Sequence, residues 1–291
     1  MDILTNYTFQ IVALGSVLLA VAAAPVGAFS VYKGQSLIGD AIGHSTFPGI
    51  ILAYMAFATR SPVILLAGAI LAGAASYALI QLAHRDKRLG LDANLAIFLS
   101  GFFGLGMALK SFIQGNPDYA GASQAGLGTY IFGQAAYMLE ADVLLIAAIS
   151  ALVLTLLLLF YKELKLFVFD AEYAEVVGLP CRLLNLLLLI MTIAVIGIGI
   201  KAVGAILISS FLIIPCVAAN QWSNNFARVL LLSSLIGAVS ALVGTYISTL
   251  EQGMSTGPSI ILVASLIAFF SIVFGTKGIL GSVLKRRRTH G

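Results

Sequence analysis

The chain has 291 residues, of which 60% are hydrophobic and only 10% charged, and its mean hydropathy is +1.05. A water-soluble fold carries about 25% charged residues, so the composition excludes a soluble enzyme and points to lipid as the solvent. The net charge of +4 does not indicate a nucleic-acid partner, because Lys and Arg sit in short gaps between apolar runs and no tract of them interleaves with aromatics.

The first ten residues contain no Lys or Arg, so the basic start of a secretory signal is missing and the first apolar run reads as a retained span. Nine such runs follow one another, each near the roughly 20 residues needed to cross a bilayer core. They cover roughly 11–32, 36–58, 62–83, 92–113, 143–161, 183–200, 202–219, 229–250 and 258–276. The sixth and seventh are short and separated only by Lys201, so eight crossings remain an alternative to nine. The fold class is an all-α polytopic membrane protein, and no gap is long enough for a soluble domain. The longest gap, about 114–142, is rich in Gly, Gln, Ser and Tyr. Cys181 and Cys216 lie far apart in apolar context and imply no disulfide.

Alternating the gaps sorts the 16 basic residues. One side collects Lys33, Arg85, Lys87, Arg88, Lys162, Lys165, Arg182, Arg228, Lys277, Lys285, Arg286, Arg287 and Arg288. The other keeps Arg60, Lys110 and Lys201. The basic side is expected to be cytoplasmic, which puts the C-terminus inside and the N-terminus outside.

Only the second run holds ionisable residues away from its ends. It reads Ser36-Leu37-Ile38-Gly39-Asp40-Ala41-Ile42-Gly43-His44-Ser45-Thr46-Phe47-Pro48-Gly49. Asp40 and His44 are four apart and share a helical face. A carboxylate and an imidazole on one face supply half of a divalent-metal site, and an ionisable residue inside a span marks an ion path or a proton relay. The plainer reading makes Asp40 an anion near a helix N-terminus with His44 as its hydrogen-bond partner. Pro48 is expected to bend or loosen the helix and to free a carbonyl. Cys216 and Met107 are candidate softer ligands, though packing is the usual use of both residue types.

A second segment reads as a short helix in a polar gap of about 163–182. Asp170 is its expected N-cap, Ala174, Val176 and Val177 its apolar positions, Gly178 its stop, and Pro180 follows. A connector between spans accounts for it as well as a docking element does.

These strings resemble the manganese/zinc/iron-type ABC importer permeases. The motif around Asp40 and His44 is similar to theirs near the N-terminus. Phe169-Asp170-Ala171-Glu172-Tyr173-Ala174-Glu175-Val176-Val177-Gly178-Leu179-Pro180 resembles their ATPase-docking segment. Lys201-Ala202-Val203-Gly204-Ala205-Ile206-Leu207-Ile208 with Ile213-Ile214-Pro215 resembles the following helix pair, and Ser255-Thr256-Gly257-Pro258 the start of the last span. The resemblance implies a single permease domain over 1–291, of type II-like ABC importer architecture, in a bacterial plasma membrane. It implies Asp40 and His44 as ligands of a transported divalent ion, manganese first and zinc or iron next, with no resident cofactor. It implies a second permease copy or a paralogue, a cytoplasmic ATPase subunit docked on residues 170–178, and an extracytoplasmic metal-binding protein. Gly275-Thr276-Lys277-Gly278 lacks phosphate-loop spacing, so ATP hydrolysis is expected on another chain and this one is not an enzyme. Glu251, Tyr119, Tyr130 and Tyr137 are candidate contacts for the binding protein, or interfacial aromatics. The competing functions are a proton-coupled secondary metal carrier, a non-transporting scaffold, and an importer of cobalamin or siderophores.

Overall fold

The computed structural model describes residues 6–59, 61–84, 90–116, 119, 138–250 and 254–280. Arg60, Arg85, Lys87, Arg88, Tyr130, Tyr137, Glu251, Lys285, Arg286, Arg287 and Arg288 lie outside the described residues, as does most of the 114–142 gap. Eleven α-helices and no strands occur among the described residues: α1 (Tyr7–Tyr32), α2 (Ile38–Phe57), α3 (Pro62–His84), α4 (Leu91–Gly115), α5 (Glu140–Leu159), α6 (Tyr161–Phe169), α7 (Ala171–Val176), α8 (Cys181–Val203), α9 (Ala205–Asn220), α10 (Phe226–Leu250) and α11 (Thr256–Phe274).

Each apolar run carries one helix. Seven of them, α1, α3, α4, α5, α8, α10 and α11, are long and apolar enough to cross a membrane. The other two runs form α2 and α9. The 20 residues of α2 are diluted by Asp40, His44, Ser45, Thr46 and Pro48, while α9 has 16 residues, a length of about 24 Å. The weak boundary between the sixth and seventh runs is Gly204, at φ 86°, where α8 ends and α9 begins. A side chain there would be strained.

α1 is the hub, packing against α5, α8, α9 and α10. Its buried stretch Ala20, Ala22, Ala23, Ala24, Gly27 and Ala28 lets backbones approach, as in membrane bundles generally. A Cβ on Gly27 would lie 1.9 Å from the carbonyl oxygen of Leu212 on α9. Pro25 has no N–H for the carbonyl of Val21, and the hydroxyl of Ser234 on α10 donates to that oxygen at 3.2 Å, so the bundle repairs the gap.

α2, α3 and α4 form a second group, joined to the first through α8 and α9. Here glycines set the spacing. A Cβ on Gly49 would lie 2.2 Å from the oxygen of Gly68 on α3, and one on Gly106 of α4 would lie 2.5 Å from the Phe47 ring. α2 is thus clamped between two neighbours at the turn that follows His44.

One end of the bundle gathers Lys33, Arg228 and Lys277. The Tyr32 hydroxyl donates to Asn220 Oδ1 at 2.9 Å, and Lys277 Nζ reaches the same oxygen at 3.3 Å and the Ser223 carbonyl at 2.8 Å. An aromatic knot covers this end. Phe226 meets Phe29, Tyr32 and Phe169 edge-on at 4.9–5.2 Å and stacks on Tyr161 at 6.3 Å. The short helices α6 and α7 are attached there.

Candidate metal site

α1 ends in a tight return. Gly34 takes φ 74°, the N–H of Gln35 bonds the carbonyl of Ser30 at 2.9 Å, and that of Ile38 bonds the carbonyl of Gln35 at 3.1 Å. α2 therefore starts beside the last turns of α1, already inside the bundle. Asp40 lies in its first turn, where the unpaired N–H groups favour a carboxylate.

Asp40 Oδ1 and His44 Nε2 are 3.4 Å apart, and the two side chains are 31% and 17% exposed. Both accounts of the pair drawn from sequence thus describe the same geometry: a first-turn anion in contact with its imidazole one turn on, and two ligand atoms on one face. The hydroxyl of Ser209 on α9 donates to the Asp40 carboxylate. Phe103 of α4 packs edge-on against the His44 ring at 5.0 Å and 80°. The pair thus faces the space between α9 and α4. Ser209 is eleven residues from Asn220 along α9, about 16 Å, so the pair sits well away from the basic end.

The neighbours on α2 are spent on the backbone. Ser45 donates to the carbonyl of Ala41 and meets the Ser76 hydroxyl at 2.7 Å, and Thr46 donates to the carbonyl of Gly43 at 2.6 Å. The helix runs unbroken through Pro48. Even so, the residue four before Pro48 is His44, whose carbonyl has no N–H opposite it.

Among the described residues no three His, Cys, Asp or Glu side chains group together. Cys216 and Met107 do not join the pair. Cys216 is 1% exposed in the apolar core, and Met107 is half exposed on α4, one turn past Phe103. Tyr119 packs against the core. A dication needs four or more donors, of which this pair would supply two.

The second segment folds as its residues dictate. The Asp170 carboxylate accepts from the N–H of Tyr173 at 2.9 Å and caps α7. Gly178 ends it at φ 88°, and the N–H of Leu179 returns to the carbonyl of Ala174 at 2.9 Å. Ala174 is buried, whereas Ala171, Glu172, Tyr173, Glu175, Val176, Val177 and Gly178 are exposed. Val176, at 83%, offers an apolar side chain to whatever covers this surface. Phe169 ties the helix to the aromatic knot and so to Tyr32, at 5.3 Å.

Ser209 and Phe103 are the members of the site that sequence reasoning did not reach. Ser209-Ser210 inside an otherwise apolar run was the available signal for the first. Phe103 has none, since aromatics in spans are ordinary.

A profile of the ABC 3 transport family matches residues 5–275. The zinc transport system membrane protein TroC of Treponema pallidum (strain Nichols) is 39% identical over 289 residues, covering 99% of this chain and 96% of that one. The manganese transport system membrane protein MntC of Bacillus subtilis (strain 168) is 39% identical over 285 residues, covering 96% of this chain and 65% of that one. Among solved structures, PsaBC from Streptococcus pneumoniae in complex with Fab superposes with a TM-score of 0.81 at 26% identity, covering 94% of both chains.

Proposed function

The chain belongs to the ABC 3 transport family, and from that premise we propose that it is the membrane-spanning permease of an ATP-driven importer that brings a divalent metal ion, manganese or zinc, into the cytoplasm. Its own residues guide the ion, and ATP hydrolysis belongs to a separate chain. The single observation that carries the reading is the Asp40–His44 pair, 3.4 Å apart and partly sheltered in the bundle. Relatives 39% identical over nearly the whole chain, described as zinc and manganese transport proteins, support the same cargo. The secondary-carrier alternative draws support from none of these relatives.

A bare dication does not enter hydrocarbon unless protein donors replace its water. In our reading Asp40 and His44 supply two donors from this chain. Ser209 orients the carboxylate, and the edge of Phe103 holds the imidazole toward its partner. A second permease copy or a paralogue supplies the matching pair across a two-fold axis, which completes four ligands. The half-built set among the described residues favours this arrangement. His44 must be unprotonated to ligate, so binding weakens as a proton competes for the same nitrogen.

The whole chain acts as one permease domain with the basic end in the cytoplasm. There the exposed residues 170–178 meet the ATPase subunit, and a metal-binding protein delivers the ion at the opposite face. Carboxylate with imidazole suits Mn and Zn and accommodates Fe(II). The test is uptake of radioactive Mn or Zn by proteoliposomes holding this chain with its ATPase. Asp40→Ala and His44→Ala should each abolish uptake while assembly and basal ATP hydrolysis persist. Undiminished uptake by the doubly substituted protein would remove the metal path from this face of α2.

A further inference from the structure

Lys33 occupies an unusual position. It caps α1 at the basic end, yet its side chain is turned inward and not to water. Nζ donates to Asn185 Oδ1 on α8 and lies 4.8 Å from the centre of the Phe167 ring on α6. Asn185 in turn donates to the hydroxyl of Tyr77 on α3 at 2.9 Å. The ammonium is therefore held by an amide and a ring face, and no described carboxylate pairs with it.

A carboxylate lies on the same helix as that ring. Glu163 precedes Phe167 by four residues on α6 and so shares its face. Its Oε2 is buried and has no hydrogen-bond partner. A sheltered carboxylate oxygen left unpaired costs free energy, and a sheltered cation satisfied only by neutral groups does too. Glu163 stands one helical turn along α6 from Phe167, the ring that the Lys33 ammonium already contacts, so the exchange asks the long, flexible lysine stem to move along one helix.

We infer that Lys33 exchanges partners in the transport cycle, leaving Asn185 for the carboxylate of Glu163, and that this exchange positions the ligand helix in response to the docking segment. The inference rests on the proposed function, since it assigns a role within ATP-driven transport. The connections on both sides are short and stiff. Toward the ATPase, the N–H of Asp170 bonds the carbonyl of Leu166, so α6 leads directly into the N-cap of α7. Toward the ion, the Ser30–Gln35 and Gln35–Ile38 hydrogen bonds join Lys33 to the first turn of α2, which carries Asp40. Pulling Lys33 toward α6 frees Asn185 and Tyr77 and passes a displacement into that turn. Lys33 and Glu163 are positioning residues in this scheme, and neither touches the ion.

The orphaned oxygen makes the test discriminating. Glu163→Gln removes a charge that makes no hydrogen bond through Oε2 in this conformation, so the substitution should leave the fold as stable as before or more so. A transport defect would then report on another conformation. In proteoliposomes with the ATPase, Glu163→Gln and Lys33→Met are expected to lower Mn uptake per ATP hydrolysed at least tenfold. Equilibrium Mn binding should stay within twofold of the unsubstituted protein. The reversed pair, Lys33→Glu with Glu163→Lys, is expected to recover most of the lost coupling. Unchanged uptake per ATP in Glu163→Gln, or no recovery in the reversed pair, overturns the exchange. Absence of ATP-dependent uptake in the unsubstituted complex would instead sink the proposed function, so the two failures are told apart.

Discussion

Substituting Gly49 with alanine tests whether glycine contacts hold α2, the helix that carries Asp40 and His44. The new Cβ would lie 2.2 Å from the Gly68 carbonyl oxygen, 2.5 Å from Ala72 Cβ and 2.8 Å from the Gly68 carbonyl carbon. Two of these three atoms are backbone, so no side chain can swing aside. Moving the first contact out to an ordinary 3.4 Å requires α2 and α3 to part by about 1.2 Å. α2 has no free side to move into, because Gly106 of α4 already holds Phe47 and Pro48 at 2.5–3.1 Å from its own Cβ position. Overpacking of this kind costs about 1–3 kcal/mol, offset by about 1 kcal/mol of helix propensity gained on replacing glycine. Gly237→Ala is the matched control, because its Cβ would approach the Ala20 carbonyl oxygen only to 3.3 Å. There the propensity gain should roughly cancel the contact. Thermal unfolding in detergent, followed by the single tryptophan, Trp222, should show Gly49→Ala destabilised and Gly237→Ala near the unsubstituted protein. Metal uptake should fall about tenfold in the first alone, because the shift reaches His44 five residues away. Equal unfolding temperatures and equal uptake for the two variants would refute the claim that backbone contact fixes the position of α2.

Two further outcomes are expected. Asp170→Ala removes the cap that holds the Tyr173 N–H and should cost α7 about 1 kcal/mol. Loss of order in so short a helix should weaken co-purification of the ATPase subunit, with metal binding unchanged. Lys33 gives a pH signature. Burial lowers its amine to about 8, so above that pH the group is increasingly neutral and cannot pair with Glu163. Asn185 and Phe167 face it from α8 and α6, with Tyr77 of α3 bonded behind the amide, and they do not restore the charge. Uptake per ATP should therefore decline between pH 7.5 and 9, a window set by that value. Lys33→Arg, which stays cationic, should flatten the decline. A parallel decline in the arginine variant would assign it to another group.

Most of the fold was legible because lipid imposes one simple requirement. Every span must be apolar and about 20 residues long, and each apolar run does carry a helix. The candidate site was half legible. Asp40 and His44 stand out because charge is scarce in spans, and Asp170 and Gly178 mark α7 because caps and left-handed stops have narrow residue preferences. What escaped was tertiary. Lys33 reads in sequence as a flanking charge of the kind that sets topology, yet it points inward to Asn185, 152 residues away. Glu163 reads as part of a solvated connector, yet one of its oxygens is buried. Neither partner lies within a helical repeat, so periodicity carries no trace of the contact.

The same logic explains why α2 is held by glycine contacts on two sides. Placing Asp40, His44, Ser45 and Thr46 in one helix removes much of the apolar surface that would seat it in lipid, and α2 is the 20-residue helix that falls short of the apolar character of its neighbours. Its position must come from elsewhere. On one face Ile38 and Ile42 border a small cavity with Ser30, Gln35, Tyr77 and Asn185, the last of which accepts from Lys33. On the opposite face Asp40 and His44 meet Ser209 and Phe103. Backbone contacts at Gly49 and Gly106 grip the next turn. Close packing is short-ranged and tolerates little displacement, so a helix held in this way has a few discrete seats. A small shift at the Lys33 junction would then move the Asp40–His44 pair from one seat to another, which is what the proposed binding and release of an ion at that pair require.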